Sequence, residues 1–185
     1  LLTSLNLTSL VFTSPHLVDL KERISTKENI QYDKFLENIQ LFERKNNLNL
    51  GYFEALFLIA CQTFLDNDID YFICEAGIGG LYDTTSIIQS KRVVITSISR
   101  DHTELLGNEL KEILRQKINV SKNINRLFTG DISDKLMNII NTDYKHINLV
   151  SNLRDYLQLK KININKISTV EKNHYLAAMT LDLLL

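Results

Sequence analysis

Several residue types that often reveal a binding site or a covalent framework are scarce in this chain. Its 185 residues include six glycines, one proline and two cysteines. The cysteines, Cys61 and Cys74, lie in apolar segments and lack the spacing of metal ligands, so neither a disulfide framework nor a cysteine metal site is expected. We expect both thiols to be buried and reduced, and the protein to be cytoplasmic.

A strong charge of one sign and long apolar runs are lacking as well. Lys and Arg number 21 against 22 Asp and Glu, which gives a formal net charge of -1. This balance gives no reason to expect nucleic acid or an anionic membrane as a partner. No run of about 18 apolar residues occurs, so no transmembrane helix is expected. The apolar start lacks a basic region and a small-residue cleavage site, and is a poor signal peptide.

Segments with strand character alternate with helical segments along the chain. This alternation predicts an α/β fold with a mostly parallel sheet and helices on both faces, formed by residues 1–185 as one domain. The predicted strands cover residues 8–13, 69–74, 92–98, 126–130, 146–150 and, half-exposed, 159–170. The predicted helices cover residues 27–45, 52–65, 109–121 and 173–185, with one more between residues 130 and 146.

Polar residues concentrate in three turns that follow predicted strands, at residues 13–16, 75–80 and 99–104. In an open parallel sheet, ligands bind in the crevice outside the carboxyl ends of the strands. These turns are therefore the place to look for a site, although their polar residues do not by themselves establish one.

Each candidate residue also has a plainer explanation. Glu75 follows a buried strand, where a carboxylate is costly unless it meets a cation or several donors, but it equally suits capping of the next turn. Ser14 precedes Pro15 and suits holding a turn, whereas His102 suits a solvated loop. Lys117 suits a solvated helix face, which is the ordinary place for a lysine.

Four sequence blocks, taken together, are more specific than any one of these residues. They are FTSPHLVDLKERI (residues 12–24), GYFEALFLIA (51–60), EAGIGGLYDTTSII (75–88) and ITSISRDHTELLGNELKEILRQK (95–117). In order and separation they resemble the folylpolyglutamate synthase and dihydrofolate synthase family, which are ATP-dependent ligases of the Mur type. The resemblance covers residues 1–130 well and the remainder loosely, and it implies the α/β fold of the Mur ligase central domain.

The resemblance implies a role for particular residues. Ser14, Glu75 and His102 match metal ligands, and Lys117 matches a lysine that family members carry as a carbamate, which would make it a fourth metal ligand. His102 and Lys117 are also the residues expected to take part in catalysis. The residues that match the pterin-substrate pocket are Tyr52, Phe53, Glu54, Asp83 and Thr84. Asn173, in a segment that resembles an HN-x-x-NAA motif, is expected to bind the nucleotide.

The implied reaction joins L-glutamate to the carboxylate of a folate or of dihydropteroate. ATP phosphorylates the carboxylate to an acyl phosphate, the amine of glutamate attacks, and phosphate leaves. The expected cofactors are ATP and Mg²⁺, and positioning with charge neutralisation would supply most of the catalysis. Folate or dihydropteroate, glutamate and ATP are the expected small-molecule partners.

Two parts of the family pattern have no counterpart in this sequence. No glycine precedes Gly51, so the GTNGKG phosphate loop that would cradle ATP is absent, and no C-terminal ligase domain follows. We therefore expect a truncated central domain whose activity alone is impaired. Since a central strand would be missing from the sheet, the chain is also expected to be marginally stable or prone to aggregation.

The residues leave three alternatives to an active folate ligase open. The chain could be a non-catalytic remnant, or a complementing subunit whose missing parts come from a second chain. A fragment of a cell-wall Mur ligase is disfavoured, because the SPHL and YFE blocks belong to the folate branch.

Overall fold

The structure is a computed structural model that describes residues 1–183. It divides into two compact units, residues Leu1–Gly77 and the residues from Ile78 onward. Each unit contains its own three-stranded sheet. The assignment of residues 1–185 to one domain stays a prediction, and the two units are described separately.

The first unit consists of three strands and two long helices, and the helices lie between the second and third strands in the order of the chain. The strands are β1 (Ser9–Phe12), β2 (Ile24–Ser25) and β3 (Tyr71–Cys74), and the helices are α1 (Tyr32–Asn46) and α2 (Tyr52–Asp66), with 3₁₀ turns at Leu2–Leu5 and Leu20–Arg23. Strand β1 is central: it pairs in parallel with β3, so that Phe12 lies opposite Cys74, and antiparallel with β2. The two-residue strand β2 is too short to give a periodic signal in the sequence.

One face of the first sheet carries the core of this unit. Side chains alternate between the two faces of a strand, and on β1 both Leu10 and Phe12 are fully buried. They pack with α2 residues such as Phe57 and Ile59 and with Phe35 of α1. On β3, by contrast, Ile73 is 45% exposed. The helices therefore cover mainly one face of this sheet.

The second unit contains an all-parallel sheet in the order β4-β5-β6. Its strands are β4 (Arg92–Ile95), β5 (Arg126–Thr129) and β6 (Asn148–Asn152). Its helices are α3 (Thr103–Leu106), α4 (Leu110–Ile118), α5 (Asp134–Asp143), α6 (Leu153–Leu159) and α7 (Thr169–Asp182), with 3₁₀ turns at Thr84–Ile88 and Ile164–Lys166.

Strand β5 is buried on both faces. Leu127 and Phe128 are adjacent residues of β5, so their side chains point to opposite faces of the sheet. Both are fully buried. Leu127 joins a core formed largely by α4 and α5, whereas Phe128 packs with residues of α6 and α7. The predicted α/β fold, with parallel strands and helices on both faces, is confirmed in this unit.

The predicted strand at residues 159–170 is wrong. This segment contains the end of α6, the 3₁₀ turn Ile164–Lys166 and the start of α7. Its apolar residues Ile162, Ile164 and Ile167 pack against the Phe128 core, and the Asn163 side chain accepts a hydrogen bond from the N–H of Asn165 (3.0 Å). Local capping and packing on a helical layer thus produced an alternation that imitates a strand.

Further helical features differ from the sequence-based expectation, among them α3, which forms in the loop predicted after β4. Helix α6 was not predicted, and α7 begins at Thr169, earlier than residue 173, because Ser168 and Glu171 form a capping box. Leu184 and Leu185, the end of the predicted helix, lie outside the described residues. Over residues 1–183, none of the helices is long and apolar enough to cross a membrane. Cys61 and Cys74 are half-buried, where full burial was expected.

Candidate functional site

The structure brings Ser14 and Glu75 together at one end of the first sheet. Because β1 and β3 are parallel neighbours, the residues that follow them emerge side by side. The Glu75 N–H donates to the Phe12 carbonyl oxygen (2.9 Å), extending the ladder by one bond. The Ser14 N–H donates to Glu75 Oε2 (2.9 Å), and the Ser14–Pro15 peptide is cis.

The environment of Glu75 differs from the expectation of a carboxylate at a buried strand end. The residue is exposed, so its charge is hydrated and carries no large desolvation cost. The hydrogen bond that its carboxylate accepts comes from the N–H of Ser14, which lies in the turn after β1 and not in the turn that follows Glu75. Ser14 and Glu75 carry hydroxyl and carboxylate oxygens, which are the kinds of ligand that Mg²⁺ prefers, so these two residue types fit a magnesium ion.

The predicted pocket residues Tyr52, Phe53 and Glu54 form the first turn of α2, directly after Gly51. Phe53 is held in the core, with its ring centre 5.2 Å from that of Phe12. Tyr52 is 59% exposed. The Arg23 guanidinium lies over both aromatic rings, 5.3 Å from the centre of Tyr52 and 5.9 Å from that of Phe53. This turn therefore offers an accessible aromatic surface.

Asp83, a predicted pocket residue of the second unit, has its carboxylate engaged in the local turn. Its Oδ1 accepts hydrogen bonds from the N–H (2.9 Å) and the hydroxyl (2.6 Å) of Thr85, and its Oδ2 accepts from the N–H of Ile78 (3.2 Å). Asp83 thus caps the 3₁₀ turn that begins with Thr84 and closes the glycine-rich turn at residues 75–80. The predicted contact of Asp83 and Thr84 with substrate stays a prediction.

The glycine-rich turn packs against the end of α4 that carries Lys117. The Leu81 N–H donates to the Gln116 carbonyl oxygen (2.9 Å). A Cβ on Gly80 would lie 2.8 Å from that oxygen and 3.1 Å from the Lys117 carbonyl oxygen. The close approach explains a glycine here. Lys117 itself is half-buried, and its ammonium group forms no ion pair with a described residue.

His102 occupies an unusual backbone conformation at the start of α3. Its φ of 49° lies in the left-handed region, which is uncommon for residues other than glycine, although histidine adopts it more often than most. Its side chain is 45% exposed, with Nε2 3.9 Å from Asp101 Oδ2 and Nδ1 3.8 Å from Glu104 Oε1. Both ring nitrogens are therefore flanked by carboxylates, and the ring is accessible.

Of the four predicted metal ligands, Ser14 and Glu75 are neighbours in the first unit, whereas His102 and Lys117 belong to the second. Within residues 1–183 there is no group of three His, Cys, Asp or Glu side chains that could hold a metal ion. An unmodified lysine is a cation and does not suit a metal site, so Lys117 would fit one only as a carbamate. The metal-binding role of these residues stays a prediction.

Comparison with known proteins decides the family. The sequence profile of the Mur ligase middle domain matches residues 7–182. The chain belongs to the Mur ligase middle-domain family. This Mur ligase domain also resembles individual folate enzymes, in agreement with the four sequence blocks.

Two curated relatives and one solved structure illustrate the similarity. The chain is 38% identical over 133 residues to the mitochondrial folylpolyglutamate synthase of Bos taurus, covering 66% of this chain and 23% of that protein. It is 40% identical over 111 residues to the dihydrofolate synthase/folylpolyglutamate synthase of Buchnera aphidicola subsp. Schizaphis graminum, covering 58% of this chain and 26% of that protein. A solved bifunctional folylpolyglutamate synthase/dihydrofolate synthase with Mn, AMPPNP and L-glutamate bound shows 29% identity and a TM-score of 0.63, over 76% of this chain and 36% of that one.

These matches confirm the resemblance to the folylpolyglutamate and dihydrofolate synthases. The Mur ligase domain described here spans about a quarter of the length of the two curated relatives. What the relatives bind or catalyse as whole proteins is therefore not transferred to this chain by similarity alone.

The last predicted site residue, Asn173, is exposed on α7 of the Mur ligase domain. Its neighbour Lys172 donates from Nζ to Asp131 Oδ2 (3.0 Å), and Arg154 binds the other oxygen of Asp131 (3.1 Å). The Lys172 pair fixes α7, and the Arg154 pair fixes α6, to the loop after β5. Nucleotide binding by Asn173 stays a prediction.

Sequence reasoning missed Arg23 and His16 as candidates, although both lie inside the SPHL–ERI block. Arg23 is 4% exposed, and its Nε donates to His16 Nδ1 (3.0 Å). The available signal was an arginine directly before β2, next to Ile24 of the first core. Its burial depends on α2, which lies far along the chain, and no local pattern reveals that contact.

Proposed function

We propose that this chain is the central part of an ATP-dependent ligase that joins L-glutamate to the carboxylate of folate or dihydropteroate. The observation that carries the proposal is the pairing of Ser14 with Glu75 at the ends of β1 and β3 (2.9 Å). Both residues belong to blocks that match the folate ligases in order and spacing. The accessible aromatic turn at Tyr52 and Phe53 lies in the same unit.

The chemistry requires two displacements. The substrate carboxylate attacks the γ-phosphorus of ATP, the bond to the bridging oxygen breaks, and ADP leaves with its electron pair. The α-amine of glutamate then attacks the acyl carbon, loses a proton, and inorganic phosphate leaves. Such reactions depend on holding the reactants in line and on neutralising the phosphoryl charge.

The residues of this chain would contribute by binding and orientation. Ser14 Oγ and the Glu75 carboxylate would hold Mg²⁺, which when bound supplies neutralisation of phosphate charge. In the second unit, His102 and, as a carbamate, Lys117 would be metal ligands, Asp83 and Thr84 would contact the pterin substrate, and Asn173 the nucleotide. In the first unit, Tyr52, Phe53 and Glu54 would contact the pterin substrate. The solved relative with Mn, AMPPNP and L-glutamate supports this choice of ligands.

The site of action proposed for this chain is the cytoplasm. A chain with two cysteines, both in apolar segments, suits a reducing compartment. One relative carries the description mitochondrial, so fractionation of the source cells, with detection of this chain in the cytosolic and the organellar fractions, tests the assignment.

A phosphate-release assay tests the reaction. The purified chain receives ATP, Mg²⁺, glutamate and either dihydropteroate or a reduced folate, alone and together with products of neighbouring genes. In the combination that turns over, we expect phosphate release to require both glutamate and the pterin substrate, and release by the chain alone to be impaired. Glu75→Gln should lower the rate about 100-fold or more, since loss of a metal-binding carboxylate removes several kcal/mol of charge stabilisation. Glu37→Gln, an exposed change on α1, should leave the rate unchanged.

The possible results separate the competing functions. Turnover by the chain alone contradicts the expectation of impaired activity and the remnant alternative. Turnover only with a second chain supports a split ligase. Turnover with a muramoyl-peptide substrate in place of the pterin supports the cell-wall alternative, and no turnover in any combination contradicts the proposal.

A further inference from the structure

Arg23 is the one charged residue that is buried within residues 1–183, with 4% of its surface exposed. No described carboxylate lies within ion-pair distance of its guanidinium. A buried charge is costly unless it is paired and hydrogen-bonded. The surroundings of Arg23 must therefore compensate for this cost in another way.

Two kinds of contact surround the guanidinium. Its Nε donates to His16 Nδ1 (3.0 Å), an acceptor role that requires the neutral imidazole. The guanidinium carbon, Cζ, lies 5.3 Å from the centre of the Tyr52 ring and 5.9 Å from that of Phe53, within range of cation–π attraction. Arginine suits this position better than lysine, because its planar guanidinium both stacks on rings and presents a directed N–H.

The two aromatic rings differ in what else holds them. Phe53 packs against the core through Phe12, so its ring stays in place without Arg23. Tyr52 is 59% exposed, and its hydroxyl makes no hydrogen bond with a described residue. The orientation of the Tyr52 ring thus depends on the guanidinium beneath it.

We propose that Arg23 is a positioning residue that holds the Tyr52 ring as a stacking surface for a planar heterocycle, with His16 fixing the guanidinium. The pterin identity of that heterocycle rests on the proposed function, whereas the positioning of Tyr52 does not. Arg23 acts through Tyr52: it is too buried to serve as an accessible ligand-binding group itself. A ring that is already oriented loses less conformational entropy when a ligand stacks on it.

The first experiment measures the motion of the ring without any ligand. The chain contains no tryptophan, so Tyr52→Trp introduces a single fluorescent reporter whose anisotropy decay shows how freely the side chain rotates. Adding Arg23→Met should raise the amplitude of fast rotation about 2-fold, because the cation–π contact that restrains the ring is lost. Lys21→Met is the matched control, since Lys21 lies 5.3 Å over a different ring, Tyr32, and it should leave the decay unchanged.

Two further variants cover the case in which Arg23→Met does not fold. Arg23→Lys keeps the charge but removes the planar group and the Nε donor, and His16→Ala removes only the acceptor. Both should increase the rotation of the reporter in a chain whose circular dichroism is unchanged. An unchanged anisotropy decay in the folded variants would overturn the proposal.

The second experiment is a double-mutant cycle on the binding of folic acid, measured by equilibrium dialysis. Arg23→Met should weaken binding about 5-fold in the native background and less than about 2-fold when Tyr52 is already alanine. Equal losses in both backgrounds would show that Arg23 does not act through Tyr52. If the native chain binds no folic acid, the proposed function fails at this step, and the anisotropy result alone decides the positioning role.

Discussion

In the first unit α1 and α2 cover one face of the sheet, whereas in the second unit β5 lies between two helical layers. The contrast is clearest in single residues: Ile73 of β3 is 45% exposed, and Phe128 of β5 is fully buried. The candidate residues follow the same division. Ser14 and Glu75 follow the ends of two strands in a sheet that helices cover mainly on one face, and the Ser14 N–H donates to the Glu75 carboxylate. The turn beside Lys117, by contrast, is packed against a helix. Ser14 and Glu75 of the first unit thus lie at an open strand end, whereas the turn beside Lys117 in the second unit is closely packed.

The largest expected effect tests the difference in coverage directly. Phe128→Ala should lower the free energy of unfolding by about 3–5 kcal/mol, because it leaves a cavity in the core between β5, α6 and α7. The matched change Ile73→Ala, on the open face of the first sheet, should cost less than about 1 kcal/mol. Urea unfolding followed by circular dichroism measures both. Similar losses would show that the first sheet is covered in solution, against the expectation of a marginally stable chain.

The next prediction compares one substitution at two glycines. Gly80→Ser should cost about 1–3 kcal/mol, since its Cβ would press on the backbone oxygens of Gln116 and Lys117. Gly51→Ser should be nearly neutral, because the new Cβ meets only the flexible Glu54 carboxylate and serine is a favoured residue before a helix. Thermal unfolding of the two variants measures the difference. A tolerant Gly80 would contradict the tight packing of the turn on α4.

A smaller effect concerns the ion pairs of Asp131 in the second unit. Partial burial raises the pKa of Asp131, but hydrogen bonds and charges from Lys172 and Arg154 outweigh it, so the pKa is lowered from 3.8. The stabilisation is therefore present above the unfolded value and is lost as the pH falls through the folded pKa. Asp131→Asn should cost about 1–2 kcal/mol at neutral pH and flatten the loss of stability below pH ~4.

The control for Asp131 is Asp134→Asn, which removes a second partner of Arg154. The Asp134 side chain is 86% exposed, and exposed ion pairs contribute little. Asp134→Asn should lower the free energy of unfolding less than Asp131→Asn does, as measured in unfolding curves recorded across the acid range. Equal losses of unfolding free energy in the two variants would mean that the partial burial of Asp131 does not strengthen its ion pairs.

The smallest effect distinguishes how the two units hold a carboxylate. In the first unit, hydrogen bonds from the Thr8 N–H and hydroxyl lower the pKa of Asp70. These donors are neutral, whereas the partners of Asp131 are cations whose fields are screened by salt. At about 1 M NaCl the pKa of Asp131 should move toward its ordinary value, and that of Asp70 should stay low. Carboxyl-carbon NMR titrations at two salt concentrations measure both.

Most strands and the order of the motifs could be predicted from the sequence. The apolar runs at β1, β3, β4 and β5 gave clear signals, because burial of a strand needs several neighbouring apolar residues. The alternation at residues 159–170 gave a false signal, since Ile162, Ile164 and Ile167 are also spaced to pack beneath a helical turn. Helix α6, only seven residues long, was missed because it is too short to show a period.

The candidate site was predicted in part. The placement of Ser14 and Glu75 at neighbouring strand ends could be expected from parallel pairing of the strands that precede them. The capping role of Asp83, the exposure of Glu75 and the burial of Arg23 could not be predicted. Each depends on which groups approach from elsewhere, and residue types alone do not specify that approach.

By itself the sequence determined the α/β class, the positions of the polar turns and membership of the Mur ligase middle-domain family, because these follow from local periodicity and from motif order. Only the tertiary structure decided that the strands form two separate three-stranded sheets, that one is covered mainly on one face, and that an unpaired arginine lies beneath an exposed tyrosine. The physical reason is the range of the contacts. Strand pairing, burial and the compensation of a charge arise between residues that are distant along the chain and are set by packing.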